Sequence, residues 1–257
     1  MFDSALQEGV SCTVDDRGVA VVTFAHPRSN SLPGAVLAEL AKTICGLGDR
    51  SDVRVVVLGS AGDRAFCAGA SFDELVAISD EAEGLRFFMG FANVINALRS
   101  IPQLVIGRVQ GKAVGGGVGV ASAVDYCLAT QHAAVKLSEL AVGIGPFVVG
   151  PAVERKLGVS AMSQLAIDAT EWRSAAWAKS HGLYASVHED AAQLDAAVDA
   201  LAGRLAASNP EAMAEMKCTF WRGTDDWDAL LAERAAISGR LVLSDFTRDA
   251  IARFKAG

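Results

Sequence analysis

Apolar residues along this chain follow two spacings, which predict strands first and helices afterwards. Runs of β-branched residues predict strands at residues 19–24, 53–58, 101–109, 124–129 and 135–137. Apolar residues repeat at helical spacing at 32–47, at 85–98, and along a short stretch of small residues that ends near residue 123. Further helices are predicted at 151–157, 162–167, 174–181, 191–207, 210–220, 227–238 and 245–255. Strand–helix units followed by a helical tail predict an α/β core with a helical C-terminal part.

The length and composition fit one large folded domain with a soft internal boundary. The chain has 257 residues, of which 51% are hydrophobic and 21% charged, so intrinsic disorder is excluded. No Gly/Ser linker separates the strand-rich part from the tail, and we divide the chain into a core at 1–195 and a helical region at 196–257. The tail carries much apolar surface, which predicts that it packs between subunits; these residues are Trp221, Trp227, Leu230, Leu231 and Leu241.

Charge, cysteine content and hydropathy limit the binding partners and the cellular compartment that we expect for this chain. The net charge of −7 argues against nucleic acid as a partner, although a local cluster of donors could still bind an anion. The five cysteines form no close pair, as expected for a reduced cytoplasmic protein. The N-terminus lacks a basic stretch typical of a signal peptide, and the uncharged runs at 113–124 and 140–153 are too short to span a bilayer. We therefore expect a soluble cytoplasmic protein that contacts no membrane.

Several common catalytic motifs are incomplete in this sequence. The glycine run cannot be a GxGxxG dinucleotide motif, because Val120 occupies the third glycine position. Lys112 is followed by Ala113, so there is no phosphate-binding P-loop, and no GxSxG nucleophile motif is present. The four histidines show no metal-binding spacing, and we expect no metal site.

Two glycine-bearing turns and one carboxylate remain as candidate chemistry. The turns at 65–70 and 111–117 each follow a predicted strand, and small residues there would let a ligand approach backbone N–H groups. Two such donors aimed at one point form an oxyanion hole, although the same glycines also fit ordinary tight turns. Glu139 lies within an apolar run, where desolvation would raise its pKa and suit it to acid/base catalysis. An exposed glutamate at a strand edge would show the same pattern.

Together these segments resemble the crotonase (enoyl-CoA hydratase/isomerase) superfamily over essentially the whole chain. The resemblance rests on AFCAGASFDEL from residue 65, VQGKAVGGGVGVASAVDYCLA from residue 109 and LSELAVGIG from residue 137. The run VGIGPFVVGPAVERK at 142–156 is similar to a bacterial branch labelled methylglutaconyl-CoA hydratase-like. The resemblance implies a spiral of stacked ββα units, with C-terminal helices that build a homotrimer or hexamer. It also implies an acyl-CoA substrate and no separate cofactor.

The resemblance further implies roles for individual residues. The N–H groups of Ala70 and Gly116 would bind the thioester oxygen, and Glu139 would be the acid/base. Coenzyme A would be held by residues from the first loops and the last helix, namely Arg28, the backbone of Ala68, Phe254 and Lys255. The acyl pocket would be lined by Phe72, Leu75, Val118, Gly119, Val142 and Phe147.

Two departures from the family pattern bear on the reaction. Many hydratases carry a second glutamate where this chain has Gly119, and Ser71 replaces a common aspartate. A single glutamate favours moving one proton between two carbons, as in isomerisation, with Asp73 or Glu74 as possible assistants. Decarboxylation of a malonyl-type thioester is an alternative, as is a non-catalytic paralogue that binds CoA thioesters or RNA. The negative charge argues against RNA, and the presence of Glu139 argues against loss of catalysis.

Overall fold

The computed structural model describes the backbone of residues 6–256 and the side chains of residues 6–253. The strands are β1 Gly9–Val14, β2 Val19–Ala25, β3 Ser31–Leu32, β4 Val55–Ser60, β5 Gly69–Ala70, β6 Leu104–Val109, β7 Ala113–Val114, β8 Tyr126–Thr130, β9 Val135–Lys136 and β10 Ser186–His188. The helices are α1 Gly34–Gly48, α2 Phe72–Ala77, α3 Glu81–Ser100, α4 Gly116–Ala123, α5 Gly150–Ile167, α6 Ala175–Ser180, α7 Ala191–Ala206, α8 Pro210–Phe220, α9 Trp227–Leu241 and α10 Asp245–Ala256.

A six-stranded sheet in the order β1-β2-β4-β6-β8-β10 forms the centre of the fold. β1 is antiparallel to β2, and every later strand is parallel to the strand before it. Each turn of the chain therefore adds one strand beside the last, which builds a spiral. The long strands β2, β4 and β6 are buried along their whole length, as parallel strands covered on both faces usually are.

The short strands form a second layer at one edge of the spiral. β3 pairs with β5, and β7 pairs with β9, both in parallel. An isolated bridge between Cys67 and Ala113 joins the two pairs. Successive turns of the spiral are thus hydrogen-bonded to one another at the two glycine-bearing turns, residues 65–70 and 111–117.

Helices cover both faces of the central sheet. On one face α1, α3 and α4 pack in the main core, and on the other α7 packs through Leu194, Val198 and Ala202 against the sheet. α3 and α9 cross closely at Gly84 and Gly239. A Cβ placed on Gly84 would lie only 2.7 Å from the Cα of Gly239. The approach of these two backbones is possible only with glycine at both positions.

A buried polar network ties the C-terminal helices to the sheet. The Lys217 ammonium on α8 lies 3.1 Å from Asp125 and donates to the carbonyl of Gln103 at 2.8 Å. Trp221 Nε1 donates to the other carboxylate oxygen of Asp125 at 2.8 Å, and the N–H of Val105 completes the set at 2.8 Å. Every charge in this network has a partner, as a buried ion pair requires.

The structure confirms the α/β core and the helical tail. It differs from the sequence prediction in two strands and in one helix. β1 and β10 were not predicted, because β1 is a half-exposed edge strand and β10 has only three residues. The two helices predicted at 151–157 and 162–167 form the single element α5, which is interrupted at Gly158 with φ of 81°.

The apolar residues of the tail mostly lie inside the chain's own core. Trp227 and Leu231 are buried, while Trp221 and Leu230 pack against that core. The rings of Trp221 and Trp227 meet edge to face at 5.7 Å. These four residues therefore stabilise the fold of one chain and not a contact between subunits. Within the described residues, no helix is both long and apolar enough to cross a lipid bilayer.

Candidate active site

A cavity of about 710 Å³ lies beside the short-strand layer, between the two glycine-bearing turns and the helical tail. Its wall is mainly apolar and aromatic, as in most small-molecule sites. The structure brings most of the site residues that the sequence predicted to this one cavity: Ala68, Ala70, Phe72, Leu75, Gly116, Glu139, Val142 and Phe147.

Backbone hydrogen bonds between successive turns of the spiral bring these segments together. The N–H of Val114 donates to the carbonyl of Cys67 at 2.9 Å, which fixes the second glycine turn against the first. The N–H of Gly115 donates to the carbonyl of Lys136 at 2.9 Å, which fixes the same turn against the segment that carries Glu139. Three stretches distant in sequence thus meet through the main chain.

The candidate oxyanion donors, Ala70 and Gly116, lie on turns that touch each other. Gly116 is the first residue of α4, where an N–H has no acceptor within its own helix. A Cβ placed on Gly69, the neighbour of Ala70, would lie 3.9 Å from the nitrogen of Gly116. Both residues line the cavity, so their N–H groups belong to adjacent turns on the same site.

Each glycine of the run 115–117 is required for a different steric reason. Gly115 has φ of 52° and ψ of −115°, a conformation that residues with a side chain rarely adopt. A Cβ on Gly116 would lie 2.3 Å from the Phe91 ring, and one on Gly117 would lie 2.6 Å from the carbonyl oxygen of Cys67. The run therefore lets α4 begin directly against the first turn.

Glu139 places a desolvated carboxylate beside this helix start. It opens a 3-10 helix, Glu139–Val142, that ends at the left-handed Gly143. Its Oε1 lies 3.0 Å from where a Cβ of Gly115 would be. Its Oε2 is buried and has no hydrogen-bond partner among the described residues. Burial raises the pKa of Glu139 to about 7, which lets the group take up and release a proton near neutral pH.

Asp73 and Glu74, the two possible assistants, are engaged elsewhere. Asp73 forms an exposed ion pair with Arg28. A carboxylate oxygen of Glu74 accepts the N–H of Gly34 at 2.8 Å, at the start of α1. Neither acid is part of the cavity lining, so Glu139 is the sole carboxylate among the described residues that line it.

The residues expected to hold coenzyme A are only partly placed. Ala68 lines the cavity, and its N–H is shared between the carbonyls of Ser29 and Asn30, both at 3.2 Å. Arg28 is exposed and bound to Asp73, outside the lining. The side chains of Phe254 and Lys255 lie outside the described residues.

The structure places two predicted acyl-pocket residues, Val118 and Gly119, behind the cavity wall. Val118 is fully buried in the main core. A Cβ on Gly119 would lie 2.5 Å from Cγ1 of Val149, so this position has no room for a second glutamate. Neither residue belongs to the cavity lining: Val118 lies in the core, and Gly119 lies behind Val149, which does line the cavity.

Several lining residues were not expected from the sequence. Phe87 and Phe88 were visible as one side of an amphipathic helix, although nothing in that pattern indicated a cavity. Lys136 lies three residues before Glu139, within the β9 segment, and Trp172 and Arg253 come from distant parts of the chain. A cation at the edge of an apolar run was the only sequence signal for Lys136.

Comparison with known proteins identifies the family to which the chain belongs. The sequence profile of the enoyl-CoA hydratase/isomerase family matches residues 15–249, and the chain belongs to this family. It is 29% identical over 92% of its length, and 90% of the relative, to the short-chain-enoyl-CoA hydratase of Clostridium acetobutylicum. It is 28% identical over 53% of its length to the ethylmalonyl-CoA decarboxylase of Xenopus laevis, of which 46% is matched.

The fold agrees with solved structures of the family. A crystal structure of an enoyl-CoA hydratase from Mycobacterium avium subsp. paratuberculosis K-10 superposes with a TM-score of 0.84 at 28% identity. The match covers 98% of this chain and 97% of that one. The chain spans about half the length of several curated relatives it matches, including the Xenopus enzyme. The crotonase-type α/β fold predicted from the sequence is confirmed.

The raised pKa of Glu139 gives a prediction about folding that is independent of turnover. A carboxyl group with a higher pKa in the folded than in the unfolded protein destabilises the fold as pH rises from its ordinary pKa, 4.5, to about 7. Glu139→Gln should therefore gain stability relative to wild type between pH 5 and pH 8. We expect a gain of roughly 1–3 kcal/mol, because one pKa unit corresponds to about 1.4 kcal/mol.

Urea denaturation at the two pH values measures this difference directly. The exposed Glu154 provides the matched control, since Glu154→Gln should follow wild type at both pH values. A difference between Glu139→Gln and wild type that does not change with pH would mean that Glu139 ionises in the folded protein as it does in water.

Proposed function

We propose that this protein polarises the carbonyl of an acyl-CoA thioester with the N–H groups of Ala70 and Gly116, and that Glu139 moves the proton. The observation that carries the proposal is the buried Glu139 carboxylate, without a partner for Oε2, beside the start of α4. Family membership supports the thioester substrate, and the apolar cavity fits an acyl chain.

In this mechanism the two N–H groups act where negative charge develops. When a proton leaves the carbon next to the thioester, charge moves to the carbonyl oxygen and forms an enolate. Preorganised backbone donors stabilise that charge without reorganisation. Glu139 accepts the proton as a carboxylate and returns it as a carboxylic acid, and a pKa of about 7 makes both steps accessible.

The geometry favours chemistry that needs one carboxylate. Asp73 and Glu74 are held by other partners, and Val149 occupies the space that a side chain at 119 would need. Glu139 alone can move a proton between two carbons of the acyl chain, which converts a 3-enoyl to a 2-enoyl thioester. Hydration would require Glu139 alone to activate the water.

Decarboxylation of a malonyl-type thioester is a second candidate. The similarity to ethylmalonyl-CoA decarboxylases favours it, and the same two N–H donors would stabilise the enolate that remains after loss of CO₂. In that reaction Glu139 would supply the proton that replaces the carboxyl group. Release of CO₂ from a malonyl-type thioester distinguishes this reaction from isomerisation.

Substitution of Glu139 tests its role in proton transfer. Glu139→Gln keeps the size of the side chain but cannot accept a proton, and kcat for a 3-enoyl-CoA should fall roughly 10²–10⁴-fold. KM should change little, because the coenzyme A part is bound elsewhere. Asp73→Asn is the control and should retain wild-type turnover. Near-normal turnover of Glu139→Gln, measured with 2-enoyl-CoA and 3-enoyl-CoA, would remove Glu139 from the mechanism.

The oxyanion hole requires a test that accounts for the Phe91 ring. Any side chain at position 116 would collide with that ring, so both variants are made in a Phe91→Leu background. Gly116→Ala retains the N–H, whereas Gly116→Pro removes it at a helix position that accepts proline. The proline variant should be roughly 10²–10³-fold slower than the alanine variant. Equal rates in two folded proteins would show that this N–H takes no part.

We also propose that the protein is a cytoplasmic homotrimer or hexamer. The described surface includes large exposed apolar side chains on the tail helices: Met216, Phe220 and Phe246. Multi-angle light scattering should give a mass three or six times the 26.7 kDa of the chain. A stable monomer at micromolar concentration would contradict this assembly.

A further inference from the structure

The cavity has an excess of positive charge that the proposed proton transfer does not use. The charged residues among its described lining are Lys136, Glu139 and Arg253. Near neutral pH the raised pKa of Glu139 leaves this carboxyl only partly ionised, so the two cations are not balanced. This local charge contrasts with the net charge of −7 of the whole chain.

Lys136 is held in the cavity wall by an aromatic ring. Its ammonium lies 4.7 Å from the centroid of Trp172, and both residues line the cavity. Such a cation–π contact orients the ammonium without neutralising it. Among the described residues, no carboxylate lies within ion-pair distance of Lys136. A half-buried ammonium without a counter-charge is a ready partner for an anion.

The backbone of Lys136 lies next to the proposed reaction centre. The carbonyl of Lys136 accepts the N–H of Gly115, the residue next to the proposed donor Gly116. Lys136 also lies three residues before Glu139. The phosphates of coenzyme A are separated from the thioester by the whole pantetheine arm, whereas a group on the acyl chain is close to it.

We propose that the Lys136 ammonium, held against Trp172, binds a carboxylate on the acyl chain of the substrate. The enzyme would then act on thioesters of dicarboxylic acids, a substrate class that rests on the function proposed above. The pairing favours a carboxylate that is retained in the reaction, because an ammonium stabilises the charge that decarboxylation would remove.

Binding of saturated thioesters tests this role without relying on turnover. Glutaryl-CoA and pentanoyl-CoA have the same chain length and differ in a terminal carboxylate or methyl group, and succinyl-CoA and butyryl-CoA form a shorter pair. None of the four has a double bond to hydrate or move. The result therefore stands whether or not the proposed proton transfer is correct. Isothermal titration calorimetry should show that wild type prefers the carboxylated member of at least one pair.

Two matched lysine variants separate charge recognition from packing. Lys136→Met removes the charge and keeps much of the side-chain length, and it should abolish the preference, a change of about 10- to 100-fold. Lys136→Arg should keep part of the preference for the carboxylated thioester. Lys112 also lies 4.7 Å from the Trp172 ring but is outside the cavity lining, so Lys112→Met should keep the full preference.

Three results would overturn the proposal. The first is a wild type that prefers the carboxylated thioester in neither pair. The second is a folded Lys136→Met protein, as judged by circular dichroism, that keeps the preference. The third is an equal loss of affinity by Lys136→Met for both members of a pair and for free coenzyme A, which would assign the ammonium to a phosphate of the cofactor portion.

Discussion

The hydrogen bond from the N–H of Gly115 to the carbonyl of Lys136, at 2.9 Å, is the constraint on which the site depends. It joins the turn that begins α4 to the segment that carries Glu139, and the bond from Val114 to Cys67 joins the same turn to the first glycine loop. Because these are main-chain bonds between turns of the spiral, they bring the segments that carry the proposed donor Gly116 and the proposed acid Glu139 together through the backbone.

This arrangement has a steric and an electrostatic cost. The backbones approach so closely that glycine is required at 115, 116 and 117, and the chain gives up packing side chains there. The same approach buries the Glu139 carboxylate without a partner for Oε2, which raises its pKa to about 7. A site that buries a carboxylate oxygen without a partner is less stable than one that pairs it, and catalysis is the usual reason for such a feature. The Asp125 network shows the contrast, since each of its buried charges is paired.

Sequence reasoning predicted the elements that have strong local patterns and missed those that depend on the spiral. β2, β4 and β6 were predicted because their runs are continuously apolar, whereas β3 and β7 have two residues each and form only when another turn lies beside them. Motifs predicted Glu139, Ala70 and Gly116 as site residues, and all three line the cavity. Val118 and Gly119 were misplaced because helix position alone does not indicate which face of α4 meets the cavity. Trp172 had no local signal, since only the tertiary fold brings it to Lys136.

Solvent exchange tests the proposal that Glu139 moves the proton of a thioester polarised in this cavity. Butyryl-CoA is incubated with the wild-type enzyme in D₂O, and deuterium at the carbon next to the thioester is followed by NMR across a range of pH. Enzyme-catalysed exchange should rise about tenfold per pH unit as the pH approaches the Glu139 pKa of about 7, and it should level off above that pH. No exchange above the uncatalysed rate, or exchange with no change across pH 7, would contradict it.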